Sequence, residues 1–314
     1  MMAELTNPGV AQDVDIAGAT AGSALPRRTR GDIAKRGLSS PWASLAAVIL
    51  AVVWTIPTAG LLITSFRPAI DINKTGWWTV FTNPDFTLDN YKQVLDTSQT
   101  TSLTPYLINS IVITIPAVLL PILLACLAAY AFAWTKFKGR NVLFVAVFAL
   151  QVVPIQVTLL PLLTLYVKLN LNGTFWAIWL SHTMFGLPLA IFLLHNFMRE
   201  IPNELIEAAR VDGAGHVTIF FRMMLPMLKP ALAAFGIYQF LWVWNDLLVA
   251  LTFAGPGTAT APMTKFLFDL TGSRGTAWYL LSAGAFISMV IPVIVFLSLQ
   301  RYFVRGLLAG SVKG

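Results

Sequence analysis

From Tyr106 to Trp134 the chain reads YLINSIVITIPAVLLPILLACLAAYAFAW, 29 residues without Asp, Glu, Lys, Arg or His. As a helix rising 1.5 Å per residue this stretch would reach about 44 Å, more than the roughly 30 Å hydrocarbon core of a bilayer. It is too long for a buried soluble helix and lacks the alternation of polar and apolar residues that a barrel strand needs. The stretch is therefore read as a membrane span. Composition carries that reading outward: of 314 residues, 57% are hydrophobic and 11% charged, against about 25% charged in a typical soluble domain. So little charge cannot clothe the surface of a water-soluble core of this size.

Five further segments contain the roughly 20 mostly apolar residues a span requires: Ser44 to Phe66, Val142 to Val167, Thr174 to Met198, Ala231 to Ala254, and Ala277 to Phe303. The expected fold is an all-α membrane protein with six transmembrane helices. The expected divisions are a disordered cytoplasmic tail (1–40), the membrane domain (41–303) and a cytoplasmic tail (304–314). The first tail is polar, without apolar periodicity, and ends in Arg27, Arg28, Arg30, Lys35 and Arg36, a composition that cannot bury enough surface to order itself. The apolar run after it has no small-residue cleavage site behind it and reads as a retained span, not a signal peptide.

The net charge of +7 has a direction. Fifteen Lys and Arg fall in the amino-terminal tail, the loops around Lys136 to Arg140 and Arg199 to Lys229, and the carboxy-terminal tail; six fall in the alternate loops. Basic residues concentrate on the cytoplasmic side of a membrane protein, so both termini are expected there. Basic runs separated by long apolar segments do not resemble a nucleic-acid surface. Cys126 is the one cysteine and lies in an apolar stretch, and His182, His195 and His216 fall on different segments, so neither a disulfide framework nor a metal cluster is expected.

Polar residues within spans mark a pathway or an interhelical contact, because burying them in lipid is costly. Asp246 stands out, with Asn245, Gln239 and Tyr238 on the same segment; an aromatic face with amide and carboxylate groups suits the path of a polyhydroxylated solute, or Asn245 and Asp246 cap a break and tie it to a neighbour. Gln151 and Gln156 accompany Pro154 and Pro161 in the third span, where they face a cavity or satisfy carbonyls freed by a proline kink. Asn109 is a weaker candidate near the start of the second span. The loop Arg67 to Pro105 holds Trp77, Trp78, Phe81, Phe86 and Tyr91 beside four Asp residues; it lies on the membrane face or against a partner, or else forms an aromatic belt.

The inner loop from Arg199 to Pro230 is the most patterned. Asn203 reads as a helix cap, Glu204 and Glu207 sit where the helix dipole favours acids, and Glu207 can pair with Arg210. Ala208 and Ala209 leave one side of the helix without bulk. Asp212-Gly213 then breaks it, with Asp212 placed to cap a second short helix from Ala214. The expected product is an angled, knob-like corner.

Glu207-Ala208-Ala209-Arg210-Val211-Asp212-Gly213-Ala214, followed by Gly215, Phe220, Pro226 and Pro230, resembles the EAA loop of ABC importer permeases. Trp244-Asn245-Asp246, Phe137-Lys138-Gly139-Arg140, Phe86-Thr87-Leu88-Asp89-Asn90-Tyr91 and the ending Gly306 to Gly314 are similar to its carbohydrate uptake branch of maltose and oligosaccharide type, over roughly Pro41 to Gly314. The resemblance implies a six-helix permease of type I architecture in a bacterial or archaeal cytoplasmic membrane. It implies that Glu207, Ala208, Ala209, Asp212, Gly213 and Ala214 couple to a separate ATPase dimer carrying ATP and Mg. Gly310, Ser311, Val312, Lys313 and Gly314 would reach the interface between the ATPase subunits. A sister permease and an extracytoplasmic sugar-binding protein complete the implied assembly; no nucleic acid and no cofactor of this chain's own are implied. The residues agree on one point: a P-loop needs Gly followed by Lys, and that pair is absent. The rival functions are import of another small polar solute and ion-coupled secondary transport. The latter needs a relay of internal ionisable groups, and Asp246 is essentially alone. A membrane enzyme would need paired carboxylates or a nucleophile motif, and none is evident.

Overall fold

The computed structural model describes residues 41–99, 101–272 and 277–309, with side chains as far as residue 300. The tail expected at 1–40, and of the one expected at 304–314 the end Gly310–Gly314, lie outside the described residues. Two compact units divide the chain at Pro57. The described part of the first is the opening of helix α1 (Pro41–Ser65); the rest belongs to the second.

After α1 come α2 (Ala69–Lys74), a 3-10 turn (Trp77–Phe81), α3 (Asp89–Leu95) and the long α4 (Thr104–Trp134). Then follow α5 (Arg140–Ala149) with a 3-10 turn (Leu150–Val152), α6 (Ile155–Lys168) and α7 (Phe175–Arg199). The second half holds α8 (Asn203–Val211), α9 (His216–Met227), α10 (Lys229–Trp244), α11 (Leu248–Phe253), α12 (Met263–Gly272) and α13 (Trp278–Ala309). No strand occurs among the described residues. Among the described residues four helices are long and apolar enough to cross a membrane, α1, α4, α7 and α13; the bent pairs α5–α6 and α9–α10 raise the number to six if each is one span.

Two of the expected spans are not straight rods. The third divides at Pro154 with a 100° bend. Proline forces the preceding Val153 out of helical geometry, to φ −71° and ψ 120°, and Pro154 itself precedes the first residue of α6 as its cap. The stretch Ala231 to Ala254 is not continuous either: α10 ends at Trp244 and α11 begins only at Leu248. Sixteen residues of α10 span about 24 Å, short of the roughly 30 Å hydrocarbon core.

The bundle is organised around α4 and α7, where Ala117, Ala125, Ala129, Ala177, Ser181 and Ala190 are buried. Small residues let helix backbones approach closely, which in a bilayer supplies the packing energy that water-driven burial cannot. The opposite stripe of α4 exposes Ile108, Ile115, Leu119 and Leu123, an arrangement suited to lipid. One core cluster joins α4 and α7 to α8 and α9 through Tyr130, Leu194, Ile206, Ile219 and Phe220. A second joins them to α6 and α11 through Leu159, Tyr166, Val249 and Phe253. A third lies where α3, α12 and α13 meet Trp244.

Candidate functional site

The corner between α8 and α9 is built by a left-handed turn. Gly213 has φ +82°, a conformation that costs an L side chain roughly 1–2 kcal/mol. The Gly213 amide donates to the Arg210 carbonyl at 3.0 Å and the Ala214 amide to that of Ala209 at 2.9 Å, satisfying carbonyls that the helix end leaves orphaned. A Cβ on Gly213 would meet nothing within 4 Å, so backbone conformation and not crowding requires glycine.

Four local expectations change. Pro202 occupies the position before α8, making Asn203 its first residue and not its cap. Asp212 closes α8 and does not open the next helix, which begins at His216 after Gly215 in an extended conformation. Ala209 faces inward with Ile206 into the core shared with α4 and α7, so of the two alanines Ala208 alone is on the open side. Glu207 and Arg210 form no ion pair in the described structure, and both are exposed.

The outer surface of the corner presents Glu204, Glu207, Ala208, Asp212 and Val211, the last 88% exposed. Its inner side is bolted down. Tyr130 on α4 hydrogen bonds to His216 Nδ1 through its hydroxyl at 2.9 Å and packs edge-on against Phe220. The sequence reading did not find this pair, since 86 residues separate Tyr130 from His216 and no spacing rule links them.

The polar residues of the spans form no single cluster: Asp246 and Gln239 both meet His182, and the others stand apart. Asp246 lies in the break after α10, and its carboxylate accepts the amides of Val249 at 3.0 Å and Ala250 at 3.3 Å. Its Oδ2 is 3.7 Å from Nε2 of His182, which is 1% exposed, and its carbonyl accepts the Thr264 hydroxyl. Asn245 closes α10 and donates from its amide back to the Leu241 carbonyl. Gln239 is fully buried, donating to the Ala117 and His182 carbonyls, while Tyr238 one residue earlier is exposed. Asn109 donates to the Thr258 and Ala261 carbonyls at 2.7 and 3.0 Å, fastening the loop after α11. Gln151 and Gln156 stand apart at the elbow of the third span, where they line a cavity of about 370 Å³ with Pro154, Met184 and Pro188. Among the described residues no group of His, Cys, Asp and Glu could hold a metal ion.

The corner is thus exposed on one side, fixed by its turn and held on the other side to the bundle. Residues 117–308 match the family of binding-protein-dependent transport system inner membrane components. The chain belongs to this family of ABC transporter permease subunits, in which ATP hydrolysis resides on a separate subunit. The osmoprotective compounds uptake permease protein GgtD of Synechocystis sp. is 53% identical over 273 residues, 86% of this chain and 91% of GgtD. The alpha-glucoside transport system permease protein AglG of Rhizobium meliloti is 51% identical over 248 residues, 76% of this chain and 63% of AglG. The fold is also similar to a crystal structure of a bacterial ABC transporter involved in import of the acidic polysaccharide alginate, with a TM-score of 0.66 and 19% identity over 89% of this chain and 100% of that one.

Proposed function

We propose that this permease imports a sugar, a di- or oligosaccharide of α-glucoside type, by passing ATPase closure through the α8–α9 corner to the bundle. The observation that carries the coupling role is the corner itself. Its exposed face is displayed on a turn that only glycine adopts freely, and its buried face is locked to α4 and α7, so a push on Glu207, Ala208 or Asp212 moves helices and not a loop. In this reading the bundle has six spans, α5–α6 forming the third and α10–α11 the fifth, with both termini cytoplasmic. A sister permease, an ATPase dimer holding ATP and Mg, and an extracytoplasmic sugar-binding protein complete the machine, and Gly310–Gly314 reaches between the ATPases.

Of the candidate pathway residues, Asn245, Tyr238, Gln151 and Gln156 remain exposed to a passing solute. Asp246, Gln239 and Asn109 hold helices and a loop in place behind them. The sugar class is supported by the name of AglG. The name of GgtD favours a second reading, a small polar osmoprotectant, and a binding panel of sugars and polyols on the partner binding protein separates the two. The coupling role is tested with Glu207→Lys and Gly213→Val: uptake is expected to be abolished while the permease remains in the membrane. Transport near wild type in both variants would remove the assignment.

A further inference from the structure

We propose that the segment after α1 is an interfacial ledge whose exposed rings, Trp78 and Phe81 above all, insert into the bilayer at that end of the helix. The first observation is depth. The Trp77 ring lies so close over Gly60 that a Cβ there would sit 2.7 Å from the indole nitrogen. Gly60 precedes the end of α1 at Ser65 by five residues, which along a helix is about 7–8 Å. The chain therefore leaves the span and folds back beside it, to the depth of about 5–10 Å at which interfacial segments bury their apolar faces.

The second observation is rigidity. Arg67, buried within the segment, donates to both the Thr75 and the Thr79 hydroxyls, at 2.6 and 3.0 Å. Asn90 donates to the Ser65 and Arg67 carbonyls, and the Tyr91 hydroxyl hydrogen bonds with that of Ser65 at 2.7 Å. On this braced frame the 3-10 turn that brings Trp77 to Gly60 also carries Trp78 and Phe81, 63% and 78% exposed. Large exposed rings on the same short turn as Trp77 have the amphipathic character that favours the headgroup boundary. Asp85 and the Asp89–Lys92 pair, all exposed, remain for the aqueous side. The occupant that these observations select is lipid, whose surface is continuous with that around the span.

The test uses the full transporter complex in phosphatidylcholine vesicles, with an environment-sensitive fluorophore on Phe81→Cys and, separately, on Asp85→Cys. Cys126 is buried and stays unlabelled. Lipid bearing a nitroxide near its headgroup is expected to quench the label at position 81 at least about twofold more than the label at 85, with emission at 81 shifted to the blue. Equal quenching at the two sites overturns the proposal, as does a blue-shifted label at 81 that nitroxide lipid does not reach, which would place a protein partner on the ledge. In a second measurement, without labels, brominated lipid should quench less of the intrinsic fluorescence of Trp78→Phe than of the wild type, and unchanged quenching counts against insertion.

Discussion

Gly213 and Asp246 have opposite constraints. At Gly213 there is room for a side chain and no comfortable backbone for one; at Asp246 the backbone is unexceptional and the carboxylate is engaged. Substitutions at Gly213 should therefore rank by tolerance of left-handed geometry, not by volume. Gly213→Asn is expected to retain measurable uptake, because asparagine tolerates this region better than other side chains do. Gly213→Val should lose it, and equal uptake from the two variants would show that the turn is not what matters. At Asp246, Asn keeps an oxygen for the Val249 and Ala250 amides whereas Ala leaves them unmet, a loss of about 0.5–2 kcal/mol for a helix cap. Thermal unfolding of the purified permease should order wild type above Asp246→Asn above Asp246→Ala. Both residues could be singled out from the sequence, Asp246 because acids are expensive in a span and Gly213 because it follows a helical pattern. The role of Asp212 could not, because a short polar residue between two helices serves as the end of one or the start of the next, and only hydrogen bonds decide which.

Hydropathy located the elements well and their directions poorly. A window average counts apolar residues without registering where a helix turns, so the elbow at Pro154 and the gap between α10 and α11 were legible only in single residues, Pro154 and the Asn245–Asp246 pair. Contacts between distant elements left still less trace. Gly186 on α7 is an example: a Cβ there would stand 2.7 Å from Oε1 and 2.8 Å from Nε2 of the buried Gln239 on α10. Nothing local in the sequence distinguishes this glycine, since its requirement comes from a side chain on another helix. Gly186→Ala should overpack the α7–α10 contact, at a cost of about 1–3 kcal/mol. Gln239→Ala opens space but leaves the Ala117 carbonyl without its donor. The double variant should unfold at a higher temperature than the sum of the two losses predicts, because each change relieves the other. Strict additivity would mean that the two residues do not share the contact.

For the molecule as a whole, the strongest sequence signal beyond the spans is the partition of fifteen basic residues against six, a statement about orientation that no internal contact duplicates. Under the proposed orientation the α8–α9 corner lies on the cytoplasmic side and the aromatic segment after α1 on the outer side. The aromatic segment can meet lipid at either face of a bilayer, so of the two proposals the corner's access to a nucleotide-fuelled partner is the one that depends on orientation. In intact cells a membrane-impermeant maleimide should label Asp85→Cys, and it should reach Val217→Cys, at an exposed position beside the corner, only in inverted vesicles. Cys126 is buried in the bundle and should not react in either preparation, so no cysteine need be removed. If Val217→Cys were labelled from outside the cell, the charge partition would have misoriented the bundle and the corner could not meet an ATPase, whatever its geometry.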